Sequence, residues 1–134
     1  VTFLLWQVEN EYGSYGDVSS SASDKQYMQH LVQLARSALG PNALLFTTDG
    51  GDAGYMSRGS LAGGDVVTIG DGCGDPQATW AAQKKFNPAG SSPFLCAELY
   101  PGWLTHWGEH MANTSSSGAA SSLDRSLSVD GGNG

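Results

Sequence analysis

Phe3-Leu4-Leu5-Trp6-Gln7-Val8-Glu9-Asn10-Glu11-Tyr12 decides the architecture. From Phe3 to Val8 the run is nearly unbroken in its apolar character rather than alternating, the pattern of a strand buried on both faces. Such strands belong to parallel sheets covered by helices. The run then breaks into carboxylates, so acidic groups stand at the carboxyl end of an interior strand, where parallel α/β folds gather their reactive groups.

The same unit recurs downstream. Ser23 is placed to cap a helix with Gln26 closing a capping box, and Tyr27, Leu31, Leu34, Ala35 and Ala38 recur at helical spacing until Gly40-Pro41 stops it. Ala43 to Thr48 reads as a second strand running into Asp49-Gly50-Gly51-Asp52, whose aspartates are better explained by turn chemistry than by a cation site. Val66 to Ile69 makes a third strand, ending in Gly70-Asp71-Gly72-Cys73-Gly74, a tight turn without the glycine order of a nucleotide loop. Asp75 as cap and Pro76 at the first helical position open a helix through Trp80 to Lys85, broken by Asn87-Pro88. A fourth strand, Pro93 to Glu98, runs into Leu99-Tyr100-Pro101-Gly102-Trp103.

Strand starts near 3, 43, 66 and 94 lie 40, 23 and 28 residues apart, close on average to the ~31 expected when ~250 residues form eight βα units. Four consecutive units of a (β/α)8 TIM barrel fit this rhythm. The stretch from Asp49 to Asp65 shows no helix, and periodicity alone equally admits a doubly wound open sheet. From Met111 onward the sequence turns rich in Ser, Gly and Ala, with Leu123, Leu127 and Val129 as its sizeable apolar residues, and reads as a weak helix or flexible end.

Composition narrows the function. Six Lys and Arg against thirteen Asp and Glu give a net charge of −7, which argues against nucleic acid or an anionic membrane surface as partner. No apolar run approaches the ~20 residues of a membrane span, and the opening residues show neither a basic leader nor a cleavage site. The chain is therefore expected to be soluble and to begin inside an interior strand. Cys73 and Cys96 cannot build a zinc cluster alone and could form at most one disulfide; the expectation is free thiols, with Cys96 buried and inert. Asn113-Thr114-Ser115 is a glycosylation sequon, informative only in a secreted chain.

Two carboxylate-rich segments follow strands, Glu9-Asn10-Glu11 after the first and Glu98 at the end of the fourth. Paired carboxylates across a barrel mouth suit glycoside hydrolysis, one protonating the leaving oxygen while the other attacks the anomeric carbon. Tyr12, Tyr15, Tyr100, Trp103 and Trp107 lie within nine residues of Glu11 or Glu98, and aromatic rings offer flat apolar faces to a sugar. The bland reading is that both glutamates cap helices or pair with surface cations. His106-Trp107-Gly108-Glu109-His110 spells H-x-x-E-H, a zinc-peptidase pattern, but that use needs a helix presenting both histidines and Gly108 interrupts it.

Val8-Glu9-Asn10-Glu11-Tyr12-Gly13-Ser14-Tyr15, Leu45-Phe46-Thr47-Thr48-Asp49-Gly50 and Glu98-Leu99-Tyr100-Pro101-Gly102-Trp103-Leu104-Thr105-His106-Trp107-Gly108 together resemble glycoside hydrolase family 35, the β-galactosidases, in the family's order and at about its spacing. The resemblance implies strands four to seven of a (β/α)8 barrel over residues 1–110, with 111–134 a Ser/Gly-rich tail, a degraded seventh helix. It implies retaining hydrolysis of terminal β-galactosides with Glu11 as acid/base and Glu98 as nucleophile, and with Asn10, Tyr100 and Trp103 binding substrate. Between Glu9 and Glu11 only the family's Asn-Glu order selects the latter. No cofactor or metal is implied. The substrate is a β-galactoside, the other partner is the missing part of the barrel, and a secreted, vacuolar or lysosomal setting follows. The isolated chain is expected to be inactive, and a non-catalytic sugar-binding relative is the alternative reading.

Overall fold

The computed structural model describes residues 5–61 and 63–129. Four strands, β1 (Trp6–Gln7), β2 (Leu45–Gly50), β3 (Val67–Gly72) and β4 (Cys96–Leu99), form one sheet in the order β1-β2-β3-β4, with every neighbouring pair parallel. Helices α1 (Ala22–Leu39), α2 (Ala53–Gly59) and α3 (Pro76–Gln83) fill the three crossovers, and α4 (Ser116–Ser128) follows the last strand. A doubly wound sheet reverses its strand order at a switch point. Four parallel strands in sequence order show no reversal, and the result is a parallel half-barrel.

The first strand is much shorter than its apolar run suggested. Phe3 and Leu4 of that run lie outside the described residues, and Trp6 and Gln7 are exposed, because β2 is the only strand that pairs with β1 among the described residues. Helix α1 starts earlier than expected. Ser21, not Ser23, accepts the Asp24 N–H, so the capping position moves upstream, while Gly40 at φ +99° ends the helix as predicted. Its inward face is Met28, Leu31, Val32 and Ala35, packed with Val8, Val18, Leu45 and Val66; Tyr27, Leu34 and Ala38 turn outward.

The connection read as helix-free contains α2. Asp52 caps it by accepting the Gly54 and Tyr55 N–H groups. Helix α3 matches its prediction at the start, with Asp75 accepting the Ala78 N–H and Pro76 in the first turn. Its end supplies the reason that β4 begins at Cys96 rather than Pro93. Gln83 Oε1 accepts the Gly70 N–H, its Nε2 donates to the Pro93 carbonyl, and the Asn87 amide bonds both the N–H and C=O of Thr68. Two amide side chains thus take the hydrogen-bonding places that an earlier β4 would occupy.

The tail holds a capped helix, α4, with Ser115 accepting the Gly118 N–H. Only Ser122 is buried on it, and Leu123 and Leu127 stay exposed. Among the described residues no helix is long and apolar enough to cross a membrane.

The cysteines are the clearest correction, since Cys73 and Cys96 form a disulfide instead of free thiols. The strand register places Cys96 beside Gly70, and the chain turns back after Gly72 with Cys73 at φ +41°, leaving the two Cα atoms 6.2 Å apart. That separation lies within disulfide reach.

Candidate active site

Polar groups converge at the carboxyl ends of the four strands. Glu11 follows β1 and its N–H donates to the Thr48 carbonyl of β2, which pins the loop across the sheet. Glu98 lies within β4, and Tyr100 two residues on reaches both carboxylates: its hydroxyl is 2.8 Å from Glu98 Oε2 and 3.3 Å from Glu11 Oε1. A single phenol oxygen therefore holds those two carboxylate oxygens within about 6 Å of each other. Burial and the hydrogen bond to Glu98 raise the Tyr100 pKa, so the hydroxyl stays neutral and remains a donor.

The neighbouring glutamate has a different environment. Glu9 accepts a short hydrogen bond from Tyr27 of α1 and one from the Asn10 N–H, so its carboxylate is engaged with the helix and its own turn. The two glutamates thus differ in their side-chain partners: Glu9 meets Tyr27 and Glu11 meets Tyr100. Asn10 is exposed, with Oδ1 accepting from Gln7 Nε2. Trp103 is 61% exposed and meets the Tyr100 ring edge-on at 5.2 Å. Of the five aromatic residues near the glutamates in sequence, Tyr100 touches both carboxylates and Trp103 packs on Tyr100. Tyr12 packs on Tyr27, while Tyr15 and Trp107 are exposed.

Sequence reading missed two further acids. Asp49 and Asp71 read as turn residues, yet both lie in strands and are buried. The register pairs Asp71 with Gly50, so alternation sends the two side chains to opposite faces of the sheet. Asp49 points toward α2, where a Cβ on Gly59 would collide with its carboxylate, and accepts the Gly13 N–H at 2.7 Å. Burial pushes its pKa up to about 7 against the opposing Gly13 hydrogen bond. Burial first, then the neighbouring Glu11 carboxyl and the Glu98 charge, raise Asp71 to about 7. In the sequence each aspartate precedes a glycine, as a turn aspartate does.

Backbone strain marks the same end of the sheet. Among the described residues, the non-glycine residues at positive φ are Glu9, Glu11 and Cys73, all just past strand ends. Such conformations cost about 1–3 kcal/mol each and persist where the surroundings fix them, commonly at reactive sites.

The zinc-peptidase pattern has no helix to display it. His106 to His110 form an exposed turn with Gly108 at φ +84°, and Glu109 is bound by the His106 N–H and ring Nδ1. Asp49 and Asp52 do not converge on a cation either, since Asp52 is the cap of α2.

Consecutive parallel strands with acids and aromatic rings at their carboxyl ends define a βα-barrel segment of the kind that carries enzyme sites. Residues 2–132 match the sequence profile of the glycosyl hydrolases family 35, and the chain belongs to that family. It is similar to Beta-galactosidase 17 of Arabidopsis thaliana, 42% identical over 96% of this chain, and to Beta-galactosidase 8 of Oryza sativa subsp. japonica, 41% over 96%. The Homo sapiens Beta-galactosidase is 39% identical over 87%. The chain spans only 18%, 18% and 16% of the lengths of these three relatives.

Proposed function

We propose that this chain supplies strands four to seven of the (β/α)8 barrel of a retaining β-galactosidase, with residues 1–110 as catalytic barrel and 111–134 carrying the seventh helix. Glu11 is the acid/base and Glu98 the nucleophile. The observation that carries the reading is the Tyr100 hydroxyl touching both carboxylates, which limits their facing oxygens to about 6 Å. Retaining glycosidases hold their carboxyl pair ~5–5.5 Å apart, whereas inverting enzymes need roughly 6.5–9.5 Å to admit a water.

In the first step a Glu98 oxygen bonds to the anomeric carbon as the glycosidic C–O bond breaks, and the leaving oxygen takes a proton from Glu11. Water then gives a proton to Glu11 and its oxygen to the anomeric carbon, releasing Glu98. Tyr100 orients Glu98 before attack. Asn10, adjoining the acid/base, bonds the sugar 2-hydroxyl with its amide, and Trp103 lies against the sugar's apolar face. The β-galactosidase names of the relatives support galactose as the sugar. The disulfide fits an oxidising compartment such as the secretory route.

The remaining barrel covers the β1 side of this segment. A groove of about 330 Å³ there is lined by Trp6, Val8, Leu31, Leu34, Ala35 and Leu39, an apolar surface suited to further barrel elements. The test is a 2-fluoro galactoside on the complete barrel: mass spectrometry should find the label on Glu98, and a label on another residue would overturn the assignment.

A further inference from the structure

Glu11 must face Glu98 to act, and the Tyr100 hydroxyl that touches both carboxylates has a single proton to give. The shorter of its two contacts, 2.8 Å against 3.3 Å, is the one to Glu98. The weaker contact leaves the direction of the Glu11 carboxyl to its backbone. That backbone is left-handed, at φ 51° and ψ 41°, a conformation in which a residue other than glycine is strained and stays only where its surroundings hold it.

Two elements grip the turn that follows. The Glu11 N–H donates to the Thr48 carbonyl at 2.9 Å, and the Gly13 N–H donates to Asp49 Oδ1 at 2.7 Å, so successive residues of β2 anchor the loop, one by its backbone and the next by its side chain. From α2, Arg58 Nε donates to the Gly13 carbonyl at 2.7 Å. Both polar backbone groups of Gly13 are thus taken by side chains 36 and 45 positions away in the chain. Gly13 is buried against the Tyr55 carbonyl and the Asp49 carboxylate, where a Cβ would collide, and Gly59 leaves room for that carboxylate by having no side chain. The Arg58 guanidinium lies 4.9 Å from the centre of the Tyr55 ring, and its own carbonyl accepts the Val18 N–H, so the donor is itself held. Asp49 is fully buried for one hydrogen bond, with Oδ2 lacking a donor. Burying an acid in this way costs stability, and here the cost falls on the loop that carries Glu11.

We infer that Asp49 and Arg58 are positioning residues for the acid/base: between them they take the N–H and the C=O of Gly13, and so hold Glu11 in the left-handed conformation that presents its carboxyl beside Glu98. The inference rests on the roles proposed for Glu11 and Glu98. Loss of either partner frees the Gly13 backbone to turn, lets Glu11 relax out of the left-handed region and swings its carboxyl away from the leaving oxygen. Proton transfer requires hydrogen-bond reach of that oxygen, and a misplacement of about 1 Å can lower a rate on the order of 10²-fold. Attack by Glu98, which sits on β4, is not altered by the same movement.

The test is Asp49→Ala and Arg58→Met in the complete barrel, each beside a variant that restores the bonding atom. Asp49→Asn keeps an oxygen for the Gly13 N–H, and Arg58→Gln keeps a donor nitrogen at the place of Nε. On an alkyl β-galactoside, whose leaving oxygen needs the proton, Asp49→Ala and Arg58→Met should lower kcat/KM by about 30-fold, and on a dinitrophenyl galactoside, whose leaving group needs none, by less than about threefold. Asp49→Asn and Arg58→Gln should recover most of the loss on the alkyl substrate. Damage to the fold alone lowers both substrates together, so equal losses on the two, or an alkyl-galactoside rate unmoved by Asp49→Ala and Arg58→Met, overturn the inference. Should Asp49→Ala not fold, Arg58→Met against Arg58→Gln makes the same comparison. Should neither fold, hydrogen exchange of the unaltered protein decides: the Gly13 amide should exchange as slowly as the amides of β2, and exchange at the rate of an exposed loop overturns the clamp. Glu11→Gln separates this inference from the reading beneath it. A selective alkyl-galactoside loss in Glu11→Gln without one in the clamp variants removes only the clamp, whereas no selective loss in Glu11→Gln removes the acid/base role itself.

Discussion

Asp49 shows what a buried acid costs when only one of its oxygens meets a donor. Its Oδ1 takes the Gly13 N–H while Oδ2 is buried without one. Burial raises its pKa in the folded chain to about 7, above the ~3.9 of an exposed aspartate. The folded state therefore holds this proton more tightly than the unfolded state. The stabilising contribution is complete below about pH 4 and is lost as pH rises through 7, by roughly 4 kcal/mol at most. Asp49→Asn, which keeps the oxygen that accepts from Gly13, should flatten the dependence of the urea midpoint between pH 5 and 8. An equally steep slope in the variant would assign that dependence to other groups. Asp49 and Asp71 also mark where residue-level reading failed. Asp-Gly pairs have the chemistry of turns, and nothing local distinguishes a turn aspartate from one in the final residues of a buried strand. Glu11 and Glu98 were legible for a different reason: each sits in a long motif whose order and spacing are specific.

At the scale of elements, apolar runs located the four strands because parallel strands are buried on both faces, and Asp75-Pro76 and Gly40 located helix boundaries because capping is a local matter of orphan N–H groups and backbone freedom. Helix α2 escaped because seven residues containing two glycines give no periodic signal, although Asp52 is an ordinary cap. The start of β4 escaped because Gln83 and Asn87 replace a strand, a substitution that depends on long-range placement. The disulfide escaped because a sequence separation of 23 does not predict adjacency; register does. It joins the end of β3 to β4 two residues before Glu98, so it should both stabilise the fold and fix the candidate nucleophile. Reduction, or Cys96→Ser, is expected to cost about 3 kcal/mol of stability and, in the complete barrel, to lower galactoside turnover. Urea titration with and without thiol reads the first effect, and an unchanged midpoint would show that the β3–β4 ladder suffices.

The whole chain is a half-barrel, and catalysis by a barrel draws on strand ends all round its mouth. Leu5 and Trp6 at the β1 side and Leu34 on α1 are 42%, 43% and 52% exposed, apolar surface on which the other strands and helices would pack. The 134-residue chain alone is accordingly expected not to hydrolyse galactosides. Hydrolysis by the purified chain that disappears in Glu11→Gln would show that four strands are enough. The bond between Cys73 and Cys96 has one more consequence, because it closes a loop around α3 that contains Lys84 and Lys85, both exposed. A trypsin cut at either lysine divides the polypeptide but does not separate its halves: the strand bearing Asp71 and the strand bearing Glu98 travel together on a non-reducing gel and part only when thiol is added.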